Sequence, residues 1–168
     1  MKKILNRIYR TIAVLIIALS LTFVILWAFG IVTLVRGNGP SMEPTLKDGE
    51  RYLMIKVDLE NIKRGDIIGA ELSDGTRVTK RVIGLPGEHI CIGYSSIWID
   101  GDWISEPYLE YPGWNDFGDY DIGLTLKENQ FYLMGDNRRG GTWCGIVTSE
   151  QIIGKVIGKK IKKSTTKY

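Results

Sequence analysis

Twenty-five consecutive residues, Thr11 to Val35, carry no charge. The run includes Val14-Leu15-Ile16-Ile17 and Phe23-Val24-Ile25-Leu26-Trp27, and as a helix it is long enough to cross a bilayer with some tilt. It predicts a transmembrane helix over 11–35. A cleavable signal peptide has an apolar region of about 7–15 residues followed by a small-x-small site, so this length favours a retained anchor. Four bases (Lys2, Lys3, Arg7, Arg10) precede the run and only Arg36 follows it immediately. Basic flanks stay on the cytoplasmic side. Residues 1–10 are therefore expected in the cytoplasm, and residues 36–168 beyond the plasma membrane.

The formal charge of +3 conceals a segregation that bears on partners. Residues 1–35 hold four bases and no acid, and residues 155–168 hold six lysines and no acid. The body between them carries 12 bases against 19 acids, a net of −7. An acidic body argues against a nucleic-acid-binding surface. The lysine-rich end reads as a solvated tail.

Beyond the anchor the pattern has a period of two. Arg51-Tyr52-Leu53-Met54-Ile55-Lys56-Val57 reads as a strand with Leu53, Ile55 and Val57 inward. Ile67–Ser73 and Thr76–Ile83 flank Asp74-Gly75, a two-residue hairpin signal, and Ser96–Ile99 and Asp102–Ile104 flank Asp100-Gly101 in the same way. Gln130–Met134 and a segment near Ile152–Ile161 complete the strands, while 106–121, rich in Gly, Pro and aromatic residues, reads as a long loop. No amphipathic helix of convincing length follows the anchor. The expected fold is mainly β, an antiparallel-sheet domain carried on one N-terminal helix.

Chemistry concentrates in two places. Pro40-Ser41-Met42-Glu43-Pro44-Thr45-Leu46 lies just past the apolar run, its serine bracketed by prolines that limit the backbone. A serine hydroxyl needs a base whose pKa lies near the working pH. The chain's only histidine, His89, follows a turn-like Leu-Pro-Gly-Glu and is expected in a loop. A lysine can serve instead if burial among apolar groups pulls its pKa down from about 10.4. Lys80 has such surroundings: Val78, Lys80 and Val82 share one face of the predicted strand, and Arg77, Thr79 and Arg81 the other. Composition alone also allows a solvated edge lysine and an ordinary turn around the serine. Cys91 and Cys144 leave a disulfide open, and no Cys/His/Asp spacing suggests a metal site. No cofactor is expected.

Ser41-Met42-Glu43-Pro44-Thr45-Leu46, then Lys80-Arg81-Val82-Ile83-Gly84-Leu85-Pro86-Gly87-Glu88, then Gly135-Asp136-Asn137-Arg138, in this order beyond an apolar span, resembles the type I signal peptidases. The resemblance implies a signal-peptidase-like catalytic domain over 36–168 that removes signal peptides from exported preproteins by a Ser-Lys dyad. Ser41 would be the nucleophile, Lys80 the general base, and the Ser41 backbone N–H an oxyanion donor. Many members add a hydroxyl donor two residues before the serine, where this chain has Gly39. Small substrate pockets would draw on Met42, Leu46, Val78 and Thr79. Arg81, Gly135 and Asp136 would support the site, Asp136 by pairing with Arg81. The chain departs from the family after Gly-Asp-Asn-Arg: Gly141 stands where a serine orients the lysine, and Trp143 and Gly145 replace a pairing Asp and Arg, with Thr142 a candidate substitute. Two rivals are a catalytically weakened or inactive relative that holds substrates or partners at the membrane, and a self-cleaving Ser-Lys protein. The aromatic residues Trp103, Tyr108, Tyr111, Trp114, Phe117 and Tyr120 make membrane lipid a further expected partner, the alternative being a loop packed on the sheet by its own rings.

Overall fold

The computed structural model describes residues 2–93, 96–110, 122–139 and 145–158. The chain divides into two units, Met1–Thr33 and Leu34–Tyr168.

The first unit is helix α1 (Lys2–Ala28). None of its residues is buried, and its length and composition suit a membrane span. The hydroxyls of Ser20 and Thr22 donate to the carbonyls of Ile16 and Ala18 at 2.8 and 2.9 Å, so neither leaves an unsatisfied group on the apolar surface. The helix starts nine residues before Thr11 and stops short of Val35, unlike the expected 11–35. Its stop is a Schellman motif. Gly30 takes φ +67°, its N–H bonds the Trp27 carbonyl, and the Ile31 N–H bonds the Leu26 carbonyl. A left-handed glycine closes the last turn at little steric cost, and the β-branched residues after it enter a strand.

The strands are β1 (Val32–Arg36), β2 (Arg51–Ile55), β3 (Ile67–Glu71), β4 (Arg77–Gly84), β5 (His89–Ile92), β6 (Ile97–Ile99), β7 (Asp102–Trp103), β8 (Ile122–Thr125), β9 (Gln130–Met134), β10 (Gly145–Thr148) and β11 (Ile152–Ile157). They form a seven-stranded sheet, ordered β1-β2-β11-β3-β4-β9-β10, and a four-stranded sheet, ordered β7-β6-β5-β8. Neighbours β3 and β4, β4 and β9, β9 and β10, and β11 with both β2 and β3 pair antiparallel, as do β5 with β6 and β8 and β6 with β7. Among the described residues the only helical elements after α1 are three-residue 3-10 turns. The mainly β expectation holds.

Strands β4 and β9 are central because both of their faces are covered. On one side Val82 and Leu133 pack with Ile68, Ala70, Phe131 and Val147. On the other, Ile83, Tyr132 and Met134 meet the inner residues of the small sheet, Ile90, Ile92, Ile97 and Ile99. A register shift between Val82 and Gly84 bends β4 where Gly84 lets the sheets approach. A Cβ there would lie 2.1 Å from Ile90 Cδ1.

Three local expectations are corrected. The turn at Asp74-Gly75 is a three-residue loop: Glu71 pairs with Arg77, Leu72 N–H donates to Thr76 O, and Gly75 sits at φ +82° after a turn closed by its own N–H on Leu72 O, the geometry of a type I turn followed by a left-handed residue. The Asp100-Gly101 turn does have two residues, with φ +52° and +89° between paired Ile99 and Asp102, as a type I′ turn requires. In β2 the buried residues are Tyr52 and Met54, while Leu53 and Ile55 are half-buried. Tyr52 packs against Met42 and Leu46, and the Met54 thioether lies over Gly69. Third, His89 is the first residue of β5 and not a loop residue, because buried Ile90 and Ile92 form an inward row that alternates with exposed His89 and half-buried Cys91.

Candidate active site

Lys80 lies on β4 directly opposite Ile68 of β3. It is only 4% exposed, and its row on that face is apolar: Val78 and Val82 pack into the cluster that holds Ile68 and Ala70. The alternation therefore sends Lys80 inward and leaves its neighbours Thr79 and Arg81 on the opposite face.

Ser41 is the middle residue of a 3-10 turn, Pro40–Met42. Glu43 N–H closes the turn on Pro40 O at 2.9 Å, and Leu46 N–H reaches Met42 O at 2.8 Å. Met42 and Leu46 are buried beside Tyr52, with Ile67 and Val156 packed against them. Two apolar side chains thus fasten the turn to the large sheet, and Ser41, next to Met42, is half-buried. Gly39 precedes the turn at φ +87°, its N–H held by Asp48 at 2.8 Å.

Arg81 joins the turn to the end of β9. Its Nε and one terminal nitrogen donate to the two Asp136 carboxylate oxygens at 2.8 and 2.5 Å, its other terminal nitrogen to Gly65 O at 2.6 Å, and a longer bond of 3.3 Å reaches Thr45 Oγ1. The guanidinium also lies 3.7 Å from the Tyr108 ring centre, within cation–π range. Burial alone would lower the Arg81 pKa, but the hydrogen bonds and charge of Asp136 outweigh it and hold the pKa above its ordinary value. Burial raises the Tyr108 phenol, and the adjacent Glu106 carboxylate adds to that.

Each residue of Gly135-Asp136-Asn137-Arg138 has a separate task. The Gly135 carbonyl accepts from Arg138 Nε at 2.7 Å. Asp136 holds Arg81. The Asn137 backbone N–H donates to Ser41 O at 3.1 Å, and its side-chain Nδ2 to Pro40 O at 3.3 Å. Arg138 grips Glu106 at 2.5 and 3.2 Å. A short path, Ser41 to Asn137 to Asp136 to Arg81, therefore ends on the residue next to Lys80.

The pairing predicted between Arg81 and Asp136 is present. The four predicted pocket residues do not form one cluster: Met42 and Leu46 pack together, Val78 belongs to the cluster across the sheet, and Thr79 is half-buried on the Arg81 face. A cavity of about 580 Å³ opens on that face between Thr45, Leu46, Ile67, Arg81, Tyr108 and Val156. Of the four, only Leu46 lines it. Gly141, Thr142, Trp143, Cys144, the aromatic stretch 111–121 and the lysine-rich end from 159 lie outside the described residues. Thr45, Glu106, Tyr108, Asn137 and Arg138 were not anticipated. The Gly-Asp-Asn-Arg motif could have flagged the last two, since two adjacent polar residues after a buried strand must find partners. Among the described residues no group of three or more His, Cys, Asp or Glu could hold a metal.

A family model described as "Signal peptidase, peptidase S26" matches residues 8–159. The chain is 31% identical over 162 residues to signal peptidase IB of Staphylococcus aureus, covering 84% of this chain and 85% of that protein. It is 36% identical over 133 residues to signal peptidase I P of Bacillus subtilis subsp. natto, covering 70% of each. A crystal structure of a signal peptidase I from Enterococcus faecalis aligns with a TM-score of 0.48 and 28% identity, covering 58% of this chain and 97% of the other.

Proposed function

The chain belongs to the signal peptidase family, peptidase S26, and from that membership we propose that it is a membrane-bound serine endopeptidase that removes N-terminal signal peptides from exported preproteins, with Ser41 as nucleophile and Lys80 as general base. The observation that carries the dyad is the burial of Lys80. An amine 4% exposed in an apolar row loses hydration, which disfavours its charged form, and a neutral amine can accept the serine proton.

The chemistry then follows in order. Lys80 Nζ takes the proton as Ser41 Oγ attacks the scissile carbonyl. The oxyanion is stabilised by the Ser41 backbone N–H. Collapse expels the new amino terminus of the mature protein, which takes the proton from Lys80. Water, activated by Lys80 in the same way, releases the signal peptide from its ester with Ser41. Substrate lies extended and pairs its backbone with a strand edge, and Leu46, the one predicted pocket residue that lines the cavity, limits the side chains admitted before the cut. Helix α1 anchors the enzyme in the plasma membrane, residues before Thr11 face the cytoplasm, and 36–168 form the extracytoplasmic catalytic domain. Aromatic residues between Trp103 and Tyr120, the exposed Trp103 among them, supply a contact with membrane lipid; Tyr108, stacked on Arg81, is not one of them.

A second reading, a weakened or inactive paralogue that holds substrates or partners at the membrane, draws on Gly141 at the position where the family has a serine. One experiment separates the two. Detergent-solubilised full-length chain incubated with an exported preprotein should yield one new N-terminus following a small-x-small sequence. Lack of turnover on a panel of preproteins would favour the second reading.

A further inference from the structure

Two carbonyls flank the Ser41 Cα, and Asn137 holds both. Its backbone N–H donates to Ser41 O at 3.1 Å, and its Nδ2 to Pro40 O at 3.3 Å. The second bond matters because of what lies at the other end of the same peptide unit. The Pro40 carbonyl and the Ser41 N–H share one planar amide, and that amide is trans, since the one cis bond among the described residues joins Glu43 and Pro44. In a planar trans peptide the carbonyl and the N–H point in opposite directions. Fixing Pro40 O on one side therefore fixes the direction of the Ser41 N–H on the other.

Pro40 O also accepts the Glu43 N–H at 2.9 Å, so it lies at the head of two converging donors. Donation to a carbonyl polarises its amide and strengthens that amide's own N–H as a donor. The backbone bond to Ser41 O pins the following peptide, so both dihedrals of Ser41 are held from one residue. Asn137 itself sits on a rigid support: Asp136 before it is locked to Arg81, and Arg138 after it to Glu106.

We infer that Asn137 is a positioning residue for catalysis, whose side-chain amide aims and polarises the Ser41 N–H toward the developing oxyanion. The inference rests on the reading of Ser41 as nucleophile. An N–H that stabilises charge only in the transition state affects kcat more than substrate binding.

The test compares Asn137→Asp and Asn137→Ser with wild type and Ser41→Ala in cleavage of a peptide spanning a preprotein cleavage site. Both Asn137 variants keep the backbone bond. Aspartate has the same shape without the donor, and serine, too short to reach Pro40 O, serves if aspartate fails to fold. Loss of an oxyanion donor lowers kcat by about 10²–10³-fold, so loss of its aim should lower kcat by roughly tenfold to a hundredfold, with KM within about threefold and the Tm close to wild type. Active wild type, inactive Ser41→Ala and Asn137 variants with kcat within about twofold of wild type would overturn the positioning role alone. So would a KM increase with kcat unchanged. Wild type indistinguishable from Ser41→Ala would overturn the nucleophile reading and the positioning role with it.

Discussion

Lys80→Met is expected to abolish preprotein cleavage and leave the fold in place. General acid–base catalysis contributes about 10²–10⁴-fold, and the base is used twice per turnover, so the loss should fall at or beyond the upper end. Methionine has nearly the length of lysine, and an apolar side chain suits a row formed by Ile68, Val78 and Val82. Replacing a buried ionisable group by an apolar one of similar volume is often neutral for stability. Lys80→Arg should be as inactive as Lys80→Met for a different reason, since a guanidinium keeps its proton at any working pH. Ser41→Ala should fall to the same floor. Cleavage assays with circular dichroism on the same samples check both halves, and substantial turnover by Lys80→Met would eliminate the dyad.

Asp136→Ala is expected to produce a large loss of stability. The Asp136 side chain is fully buried and that of Arg81 is 10% exposed. Removing the carboxylate leaves a buried guanidinium without its counter-charge, a change that costs about 3–5 kcal/mol. The Arg77–Glu71 pair, which joins β4 to β3, is the internal control, with side chains 76% and 46% exposed. Breaking an exposed pair costs about 0–1 kcal/mol, so Glu71→Ala should scarcely move the unfolding midpoint. Arg81→Met combined with Asp136→Leu should recover much of the loss, because no unpaired charge remains buried. Urea unfolding of the three variants orders them, and an Asp136→Ala midpoint equal to that of Glu71→Ala would show that the buried pair contributes nothing.

The parts of the fold legible in the sequence are those governed by local pattern. The alternation Val78-Thr79-Lys80-Arg81-Val82 placed Lys80 inward without reference to any other segment, and Asp100-Gly101 specified a turn that accepts two positive φ angles. Asp74-Gly75 did not determine its loop length, because a left-handed glycine serves a type I turn with one extra residue as readily as a type I′ turn. In β2 both faces carry apolar side chains, so alternation could not tell Tyr52 and Met54 from Leu53 and Ile55. The distance between charges misplaced both ends of the anchor helix, which starts at Lys2 and is ended by a glycine at 30, because ends are set by caps. Asn137 was hidden for a deeper reason. Its partners are backbone carbonyls nearly a hundred residues away, and a sequence does not show which distant carbonyl an amide will meet. The pocket was overreached in the same way, since Val78 and Met42 lie in clusters that only the sheet topology separates.

The most direct test of the Ser41–Lys80 reading is the pH dependence of kcat/KM for one preprotein, with Ser41→Ala as blank. The active form of Lys80 is the neutral amine. Below its pKa the ammonium predominates and the rate falls tenfold per pH unit; above it the rate reaches a plateau. A single rise in rate as Lys80 loses its proton is expected on the alkaline side of neutrality, absent from Lys80→Met. A rate independent of pH from 6 to about 10, or the same rise surviving in Lys80→Met, would contradict it, because neither is available to a mechanism in which Lys80 must lose its proton before Ser41 can attack.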